Sequence, residues 1–256
     1  MTGGRELDPP ASFDSGWLLV ERAAPTAELV TALPDASGER LACLCSPSDA
    51  ALVVGSAQQL AEVDLERVDA KGASVVRRRS GGGAVFVEGG GQVWLDVFLP
   101  AGDPLLVADV GRSAWWLGEL WTAVLDGLAA DRSVDRSAEI PGHPSAGHAP
   151  APAELAVHRG GLVRNRWSRS VCFAGLGPGE VTSDGRKLVG ISQRRDRGGA
   201  WLHSMALCRF DAAHLAAMLL LGPDERSVLR RELDEGVTIL PFAAPLVTDG
   251  LRRALA

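Results

Sequence analysis

The strongest local pattern in the sequence is a glycine-rich segment that runs from Arg77 to Val87 and reads RRRSGGGAVFV. Two strand-like runs flank a turn of one serine and three glycines. Successive glycines let the backbone approach a ligand closely and leave N–H groups free to bind an anion or a carbonyl oxygen. It is not a Walker loop, because no Gly-Lys-Ser or Gly-Lys-Thr follows, nor a dinucleotide fingerprint, because a strand follows. An ordinary hairpin with solvated arginines is the alternative.

The second pattern is the segment from Asp184 to Arg195, which reads DGRKLVGISQRR. Lysine is rare in this chain, since only two of the 26 basic residues are lysines, Lys71 and Lys187. A compact ammonium beside an apolar strand can donate to a carbonyl or phosphate oxygen where a guanidinium is too bulky. A strand-end lysine that reaches solvent is the alternative. Alternation predicts that one strand face carries Lys187, Val189, Ile191 and Gln193.

The cysteines supply a third candidate. Cys172 precedes Lys187 in the chain and could act as a nucleophile beside a cation, or it could be a core thiol on a strand at 170–174. Alternation places Cys43 and Cys45 on one strand face. None of the four cysteines has a metal-ligand pattern with histidine, so we expect free thiols and no metal.

Hydrophobic patterning predicts more strands than helices. The strand candidates are 17–21, 41–45, 51–55, 74–79, 84–87, 93–99, 161–163, 170–174, 186–193 and 201–209. The helix candidates are 58–71, 104–130, 211–221, 224–233 and 246–255, with Asp211 and Asp224 as predicted N-caps. Strands and helices do not alternate as in βαβ units. We therefore predict an α+β fold with helices packed on a mixed or antiparallel sheet.

One domain is predicted over residues 14–256, after a flexible polar tail at 1–13. The segment 133–157 is rich in Pro, Gly, Ala and Ser and is predicted to be a flexible insertion. His143, His148 and His158 are interpreted as loop residues rather than ligands. No apolar run reaches the roughly 18 residues of a membrane span, and no apolar stretch marks a secretory signal. We expect a cytoplasmic protein that binds no membrane.

The net charge is −6, from 32 acidic and 26 basic side chains. An acidic chain with few aromatic residues argues against nucleic-acid binding. Arginines are nevertheless clustered at 77–79 and 194–197. We expect these clusters to meet phosphates or the acidic surface of a small acceptor or carrier domain.

Taken in order, the two motifs resemble the lipoate–protein ligase A family, within the biotin/lipoate protein ligase superfamily. The hairpin signature R-R-x-[ST]-G-G-G-A-V matches the segment that ends at Val85. The strand signature G-x-K-[IVL]-x-G-x-[AS]-Q-R-R matches Gly185–Arg195, and a later L-H-x-x-x-L strand matches at Leu202, His203 and Leu207. The resemblance covers about residues 50–210. It implies the α+β biotin/lipoate protein ligase catalytic-domain fold, which is similar to class II synthetases.

The resemblance also implies an enzyme that activates lipoate or octanoate with ATP and Mg²⁺. The acyl group would pass to a lysine of an acceptor domain, either the E2 component of a 2-oxo-acid dehydrogenase or the glycine-cleavage H protein. Lys187 would contact the acyl carbonyl and the α-phosphate, where developing charge needs fixed donors. The other ligand- or nucleotide-binding residues would be Arg78, Arg79, Ser80, Gly81, Gly82, Gly83, Ala84, Gly190, Ser192 and His203.

Some features resemble a related activity instead. Val87 and Glu88 stand where the ligases often have a histidine, and the chain is expected to lack a C-terminal accessory domain. Cys172 and Phe173 resemble a Cys-Phe pair in one branch of the octanoyltransferases, which use no ATP. There, acyl carrier protein delivers octanoyl to the cysteine, which passes it to the acceptor lysine. A homologue that only binds the ligand or the acceptor is the remaining alternative.

Overall fold

The computed structural model describes residues 16–35, 38–137 and 154–256. The predicted tail at 1–13 and most of the predicted insertion at 133–157, with His143 and His148, lie outside the described residues. His158 lies within them, and its ring Nε2 is 2.8 Å from the Gly161 carbonyl oxygen. This histidine therefore bonds to its own loop.

Ten strands form two sheets in the described part of the chain. They are β1 (Trp17–Ala24), β2 (Arg40–Pro47), β3 (Ala51–Val54), β4 (Ser74–Arg77), β5 (Val85–Val87), β6 (Gln92–Pro100), β7 (Leu155–Val157), β8 (Val181–Ser183), β9 (Arg186–Asp196) and β10 (Gly199–Leu207). The large sheet has the order β1-β2-β6-β10-β9-β8-β7, and the small sheet has the order β4-β3-β5. The pairs β1–β2 and β3–β4 are parallel and the others are antiparallel. The predicted α+β fold with a mixed sheet is confirmed.

Helices cover both faces of the large sheet. The helices within the described ranges are α1 (Thr26–Thr31), α2 (Leu65–Asp69), α3 (Trp115–Ser137), α4 (Ala212–Ala217), α5 (Pro223–Gly236) and α6 (Ala244–Leu255). One face packs against α3 and α6, and the other packs against the small sheet with α1, α4 and α5. None of these described helices has both the length and the apolar character that a membrane span requires.

Alternation along the central strands sends side chains into two separate cores. On β6, Leu95 and Val97 join the core under α3 and α6, whereas Trp94 joins the core under the small sheet. Cys43 and Cys45 lie on the same face of β2, with their sulfur atoms 3.5 Å apart. The prediction that they share one face is therefore confirmed, and all four cysteines are free.

The predicted helix at 58–71 is wrong. The chain forms a 3₁₀ turn at Leu60–Glu62 and then the short helix α2. Between the two, Val63 makes a β-bridge to Leu219, and the Asp64 N–H donates to the Met218 carbonyl oxygen. These bonds to the segment after α4 hold the backbone extended, so tertiary pairing overrides the local helical pattern.

The predicted strand at 170–174 is also wrong, and the difference concerns Cys172. The chain makes one bridge, from Val171 to Ala84, and then turns as the 3₁₀ helix Cys172–Ala174. The predicted strand at 161–163 is likewise reduced to one bridge. Each segment has a single partner position, so no ladder of hydrogen bonds extends from it.

Helix starts follow from local capping. The long helix α3 begins later than predicted, because the preceding chain makes turns in which the Asp103 and Asp109 carboxylates accept backbone N–H groups. Asp211 caps α4 as predicted. The cap of α5 is Gly222 rather than Asp224, since the helix begins at the proline between them.

A two-residue turn joins β8 to β9. Asp184 and Gly185 have positive φ angles of 50° and 75°. Such turns favour the Asp-Gly pair, because both central residues occupy the left-handed region. The turn brings the second residue of β9, Lys187, beside the loop that precedes β8.

Helix α3 approaches that same loop closely at Gly118. A Cβ at Gly118 would lie 2.1 Å from the Gly179 carbonyl oxygen. Gly127, in the same helix, has no atom within 4 Å of its Cβ position. The lack of a side chain at Gly118 therefore sets the distance between α3 and the loop.

Gly118→Ala should lower the free energy of unfolding by about 1–3 kcal/mol, because the added methyl overpacks a backbone contact. Gly127→Ala should raise it by about 0.5–1 kcal/mol, because alanine has the higher helix propensity. Urea denaturation followed by circular dichroism measures both. Equal stability of the two variants would contradict the close approach of α3 to the loop.

Candidate active site

The Lys187 ammonium is buried and bonded to three oxygen atoms. Its Nζ lies 2.9 Å from the Cys172 carbonyl oxygen, 3.0 Å from that of Gly175 and 2.7 Å from Oε2 of Glu180. The Phe173 ring centroid lies 5.0 Å from Nζ. An ammonium has three protons, so these acceptors use all of its donors.

A bulge in β9 sets the direction of this lysine. Leu188 is an extra residue in the pairing of β9 with β8, and such an insertion changes the alternation of side chains. Val189 packs in the core under α3 and α6, whereas Lys187 lies beside Gly190, whose Cβ position is 3.4 Å from the lysine Cε. The prediction that Lys187, Val189 and the next alternate residues share one face is wrong for this reason.

Glu180 is the partner that the sequence did not reveal. Its side chain is 5% exposed. Besides the ammonium, Oε2 accepts from the Gly177 N–H at 2.6 Å, and Oε1 accepts from the Ile191 N–H at 3.0 Å. A buried carboxylate is costly unless it is paired and hydrogen-bonded. Glu180 therefore ties the loop before β8 to β9, although a glutamate in a glycine-rich stretch carries no pattern that signals burial.

The glycine-rich turn packs tightly against the segment that leads into the 3₁₀ helix. Gly82 has a φ of 98°, and a Cβ at Gly83 would lie 2.3 Å from the Val171 nitrogen. Arg78 holds the turn, because its Nη2 donates to the carbonyl oxygens of Gly81 at 2.8 Å and Gly83 at 3.0 Å. Only glycine permits this close approach of two backbones.

The three arginines before the turn have different surroundings. Arg77 donates to the carbonyl oxygens of Gly55 at 2.8 Å and Gln58 at 2.7 Å, and so fastens the neighbouring loop. Arg78 fastens the turn itself. Arg79 is exposed and, in the described part of the chain, makes no ion pair. It is the arginine of this run that remains open to a ligand.

Ser80 and Ala84 are buried and join the hairpin to its neighbours. The Ser80 Oγ lies 2.9 Å from the Oγ of Ser192 on β9. The Ala84 N–H donates to the Ser170 carbonyl oxygen, and its own carbonyl oxygen accepts from the Cys172 N–H, both at 2.9 Å. Ser80 and Ala84 therefore hold the hairpin against β9 and against the segment that carries Cys172.

Cys172 lies where two cavities meet. An apolar cavity between the two sheets and a wider groove both have this residue in their walls. Its N–H is held by Ala84 and its carbonyl oxygen by Lys187. Its sulfur lies 3.9 Å from the Cβ position of Gly82. The Cys172 backbone is therefore fixed between the hairpin and β9, and its thiol lies beside the glycine turn.

The apolar cavity is suited to a hydrocarbon chain with a polar head. Arg79, Ser192 and His203 are part of its polar lining, beside Cys172. Most of the remaining wall is hydrocarbon and comes from both sheets and α1. These apolar residues include Val30, Val53, Val85, Val87, Trp94 and Met205.

His203 is held by a buried carboxylate on the adjacent strand. Its Nδ1 lies 3.0 Å from Oδ2 of Asp96, whose side chain is 2% exposed. The other carboxylate oxygen, Oδ1, accepts from the Trp94 indole N–H at 2.6 Å. Sequence analysis did not single out Asp96, although an acidic residue inside the apolar run V-W-L-D-V-F-L was a signal of an internal polar contact.

The groove is the larger space, with a volume of about 720 Å³. Lys187 and Glu180 lie in its wall, together with the backbone of the glycine turn. Arg164 and Arg169 line it, are exposed and, within the described ranges, take part in no ion pair. Glu180 neutralises Lys187, and the two arginines outnumber the exposed carboxylate of Glu62 in the same lining, so the groove can bind an anionic partner.

The predicted site residues thus converge on two adjoining cavities. Those in the wall of the apolar cavity are Arg78, Arg79, Gly190, Ser192 and His203. Those in the wall of the groove are Gly81, Gly82, Lys187 and Ser192. Gly83 is buried behind them with Ser80 and Ala84. Across residues 16–35, 38–137 and 154–256, no cluster of three or more His, Cys, Asp or Glu could hold a metal ion.

Solved structures support the fold. A bipartite lipoate protein ligase from Thermoplasma acidophilum, described together with its E2 lipoyl domain, aligns with a TM-score of 0.65 and 15% identity, over 92% of this chain and 80% of that one. A lipoate-protein ligase A bound with ATP aligns with a TM-score of 0.61 and 18% identity, over 94% and 83% of the two chains. The implied biotin/lipoate protein ligase catalytic-domain fold is confirmed.

A family model identifies the family, and sequence relatives are consistent with it. The octanoyltransferase LipM of Moorella thermoacetica is 30% identical over 167 residues, which are 65% of this chain and 52% of that protein. The chain thus spans about half the length of this curated relative. The family model of the lipoyl protein ligase A/B catalytic domain matches residues 22–245. The chain therefore belongs to the lipoyl protein ligase A/B catalytic domain family.

Proposed function

We propose that this protein is an octanoyltransferase that takes an octanoyl group from acyl carrier protein onto Cys172 and passes it to a lysine of a lipoyl-acceptor domain. The observation that carries the proposal is the place of Cys172 at the junction of the apolar cavity and the groove. The cavity would hold the hydrocarbon chain. The groove would admit first the thioester arm of the carrier and then the acceptor lysine.

The surroundings of the other thiols support the choice of Cys172. The hydrogen bond with Cys43 and burial raise the pKa of the Cys45 thiol. Burial also raises the pKa of the Cys208 thiol. A raised pKa keeps a thiol protonated and a poor nucleophile at neutral pH. Of the four cysteines, Cys172 is the one that lines both cavities.

Lys187 has a positioning role in this proposal. The family resemblance assigns it to the acyl carbonyl and the α-phosphate, but its three N–H donors are directed at protein oxygens. Two of those oxygens are carbonyls at either end of the turn that begins with Cys172. The ammonium therefore fixes the turn that carries the thiol.

An ATP-dependent lipoate–protein ligase is the second candidate, because the groove is large enough for a nucleotide and is lined by Arg164 and Arg169. The similar ligase structure that was determined with ATP favours it as well. ATP with Mg²⁺ would supply the adenylyl group that activates lipoate or octanoate as an acyl-adenylate. Arg79 and the two groove arginines would hold the phosphates, since Lys187 has no free donor.

The lining of the groove favours protein partners with an acidic surface. An exposed cationic rim within a chain of net charge −6 favours an acidic partner. Exposed apolar residues, Leu162 and Val110, lie in the same lining. Acyl carrier protein and the acceptor domain of a 2-oxo-acid dehydrogenase E2 or a glycine-cleavage H protein are the partners that fit this proposal.

Cys172→Ser should abolish transfer from octanoyl-carrier protein, with a loss of at least about a thousandfold, because the covalent intermediate cannot form at a useful rate. The assay follows the mass of an acceptor domain with either octanoyl-carrier protein or octanoate plus ATP and Mg²⁺. Cys208→Ser is the matched control and should keep the parent rate.

Turnover from octanoate and ATP that survives in Cys172→Ser would reject the transferase and support the ligase. No acyl transfer from either donor by the parent protein would reject both enzymes and leave a binding homologue. We expect the parent protein to transfer octanoyl from the carrier protein and not from octanoate with ATP. We expect Cys172→Ser to lose this transfer and Cys208→Ser to keep it.

Lys187→Arg should slow formation of the acyl-enzyme by about a hundredfold, because a guanidinium does not fit the ammonium site and displaces the turn that carries the thiol. Lys71→Arg, at the only other lysine, is the control and should have no effect. Intact-protein mass spectrometry measures acyl-enzyme formation in a single turnover. A parent-like rate in Lys187→Arg would show that the compact ammonium is not required.

Combined Arg164→Glu and Arg169→Glu substitutions should raise the KM for the carrier protein about tenfold or more, because they reverse the charge of the groove rim. The KM for octanoyl-coenzyme A, a small donor without a protein surface, should rise much less. Arg231→Glu with Arg253→Glu makes the same charge change on exposed parts of α5 and α6 and is the control. An equal rise in KM with both double variants would point to net charge rather than to docking in the groove.

A further inference from the structure

Phe173 follows the candidate nucleophile directly and lies in the wall of two cavities. One is the apolar cavity that Cys172 also lines, with a volume of about 50 Å³. The other, here called the second cavity, has a volume of about 270 Å³ and is not lined by Cys172. Within the described ranges, Val85 is the other residue that both walls share. Since Phe173 and Val85 are only 5% and 7% exposed, their side chains stand between the two cavities.

The inner wall of the second cavity is hydrocarbon. Leu207 on β10 and Leu215 on α4 are buried in it, and the aromatic rings of Phe86 and Phe210 are half-buried. Its outer wall includes the exposed ion pair between Glu88 and Arg209, with Nη2 and Oε1 3.3 Å apart. The part of this cavity that lies beyond Phe173 can therefore accept an alkyl chain.

The Phe173 ring is held firmly against β9. A Cβ at Gly190 would lie 3.3 Å from the Cζ of this ring, so the ring rests directly on the glycine backbone. The ring centroid is 5.0 Å from Nζ of Lys187, an ammonium that is itself bonded to three oxygen atoms. The Phe173 ring therefore has close neighbours on β9 and does not yield easily to a chain that grows toward it.

An alkyl chain offers no polar group beyond its carbonyl, so a protein can distinguish chain lengths only by the room that it leaves. Each methylene that is buried strengthens binding by about fourfold. A methylene that meets a fixed wall is instead rejected by about tenfold or more. For a chain that starts at the Cys172 sulfur, the bulkiest part of the wall toward the larger cavity is the Phe173 ring.

We infer that Phe173 determines the chain length of the acyl group, because its ring closes the apolar cavity toward the second cavity. The inference rests on the proposed transferase function. Octanoyl fits the space on the near side of the ring. A longer saturated chain such as dodecanoyl reaches the ring and is excluded. Removal of the ring joins the two cavities and makes the second one available to the end of the longer chain.

The test compares the single-turnover rates at which octanoyl- and dodecanoyl-carrier protein acylate Cys172, measured by intact-protein mass spectrometry. The parent protein should favour octanoyl by about tenfold or more. Phe173→Ala should raise the dodecanoyl-to-octanoyl ratio by about tenfold or more, because the added methylenes gain a buried place. Val85→Ala should raise it in the same direction but less. A general loss of activity cancels in this ratio.

Two further variants control for the site of the effect. Phe98→Ala removes an equal ring from a buried position that lines neither cavity, and it should keep the parent ratio. Leu215→Phe, added to Phe173→Ala, places a ring in the second cavity and should return the ratio toward that of the parent.

A second measurement needs no acyl donor. Octyl and dodecyl methanethiosulfonate react with the Cys172 thiolate to form a mixed disulfide and release methanesulfinate. The labelling rates are measured at the Cys172 peptide in a Cys208→Ser background, which removes the other partly exposed thiol. The dodecyl-to-octyl ratio should change among the variants as the acylation ratio does.

A parent-like ratio in both Phe173→Ala and Val85→Ala would overturn the inference, and Val85→Ala alone decides if the other variant does not fold. Equal rates for both chains in the parent, or an equal rise in Phe98→Ala, would also overturn it. A gain that Leu215→Phe does not reverse would reject the second cavity as the place of the longer chain. A parent protein that accepts no acyl group from the carrier would overturn the transferase proposal instead, and the labelling ratios would still decide the role of Phe173.

Discussion

The whole site depends on one buried ion pair, between Lys187 and Glu180. Removing one partner of such a pair typically costs about 3–5 kcal/mol, because the other charge remains buried. Here the pair does more than satisfy two charges. Glu180 also accepts backbone N–H groups from its own loop and from β9, and Lys187 donates to the carbonyl oxygens that bracket the 3₁₀ turn. Strand, loop and cysteine-bearing turn are therefore held as one unit.

The glycine-rich hairpin closes the other side of this unit. Gly83 lies so close to the backbone before Cys172 that no side chain fits between them, and Arg78 keeps the turn folded by bonding its carbonyl oxygens. The motif that suggested an anion-binding loop thus also acts as a wall for the cysteine segment. Of the arginines before it, Arg79 is the one left for a ligand.

The two faces of the large sheet are covered by different elements, and this difference explains the apolar cavity. One face of the large sheet is filled by α3 and α6, whereas the small sheet on the other face leaves an apolar space that reaches Cys172. Ligases and transferases of this family share the fold, so the fold does not distinguish their chemistry. A thiol in the wall of both that space and the neighbouring groove favours transfer through a cysteine.

Local patterns in the sequence were sufficient to predict the glycine turn, the strand that carries Lys187, the α+β fold and the family, because each depends on residues that are close together in the chain. Other features depend on contacts between distant segments. The bulge at Leu188 redirects Lys187, a single bridge to Ala84 replaces the predicted strand at Cys172, and Glu180 and Asp96 acquire their partners only across the fold. The sequence alone therefore determined which side chains were available for chemistry. The tertiary structure decided which of them are paired and buried and which remain open to a ligand, because burial brings together charges that the chain keeps apart.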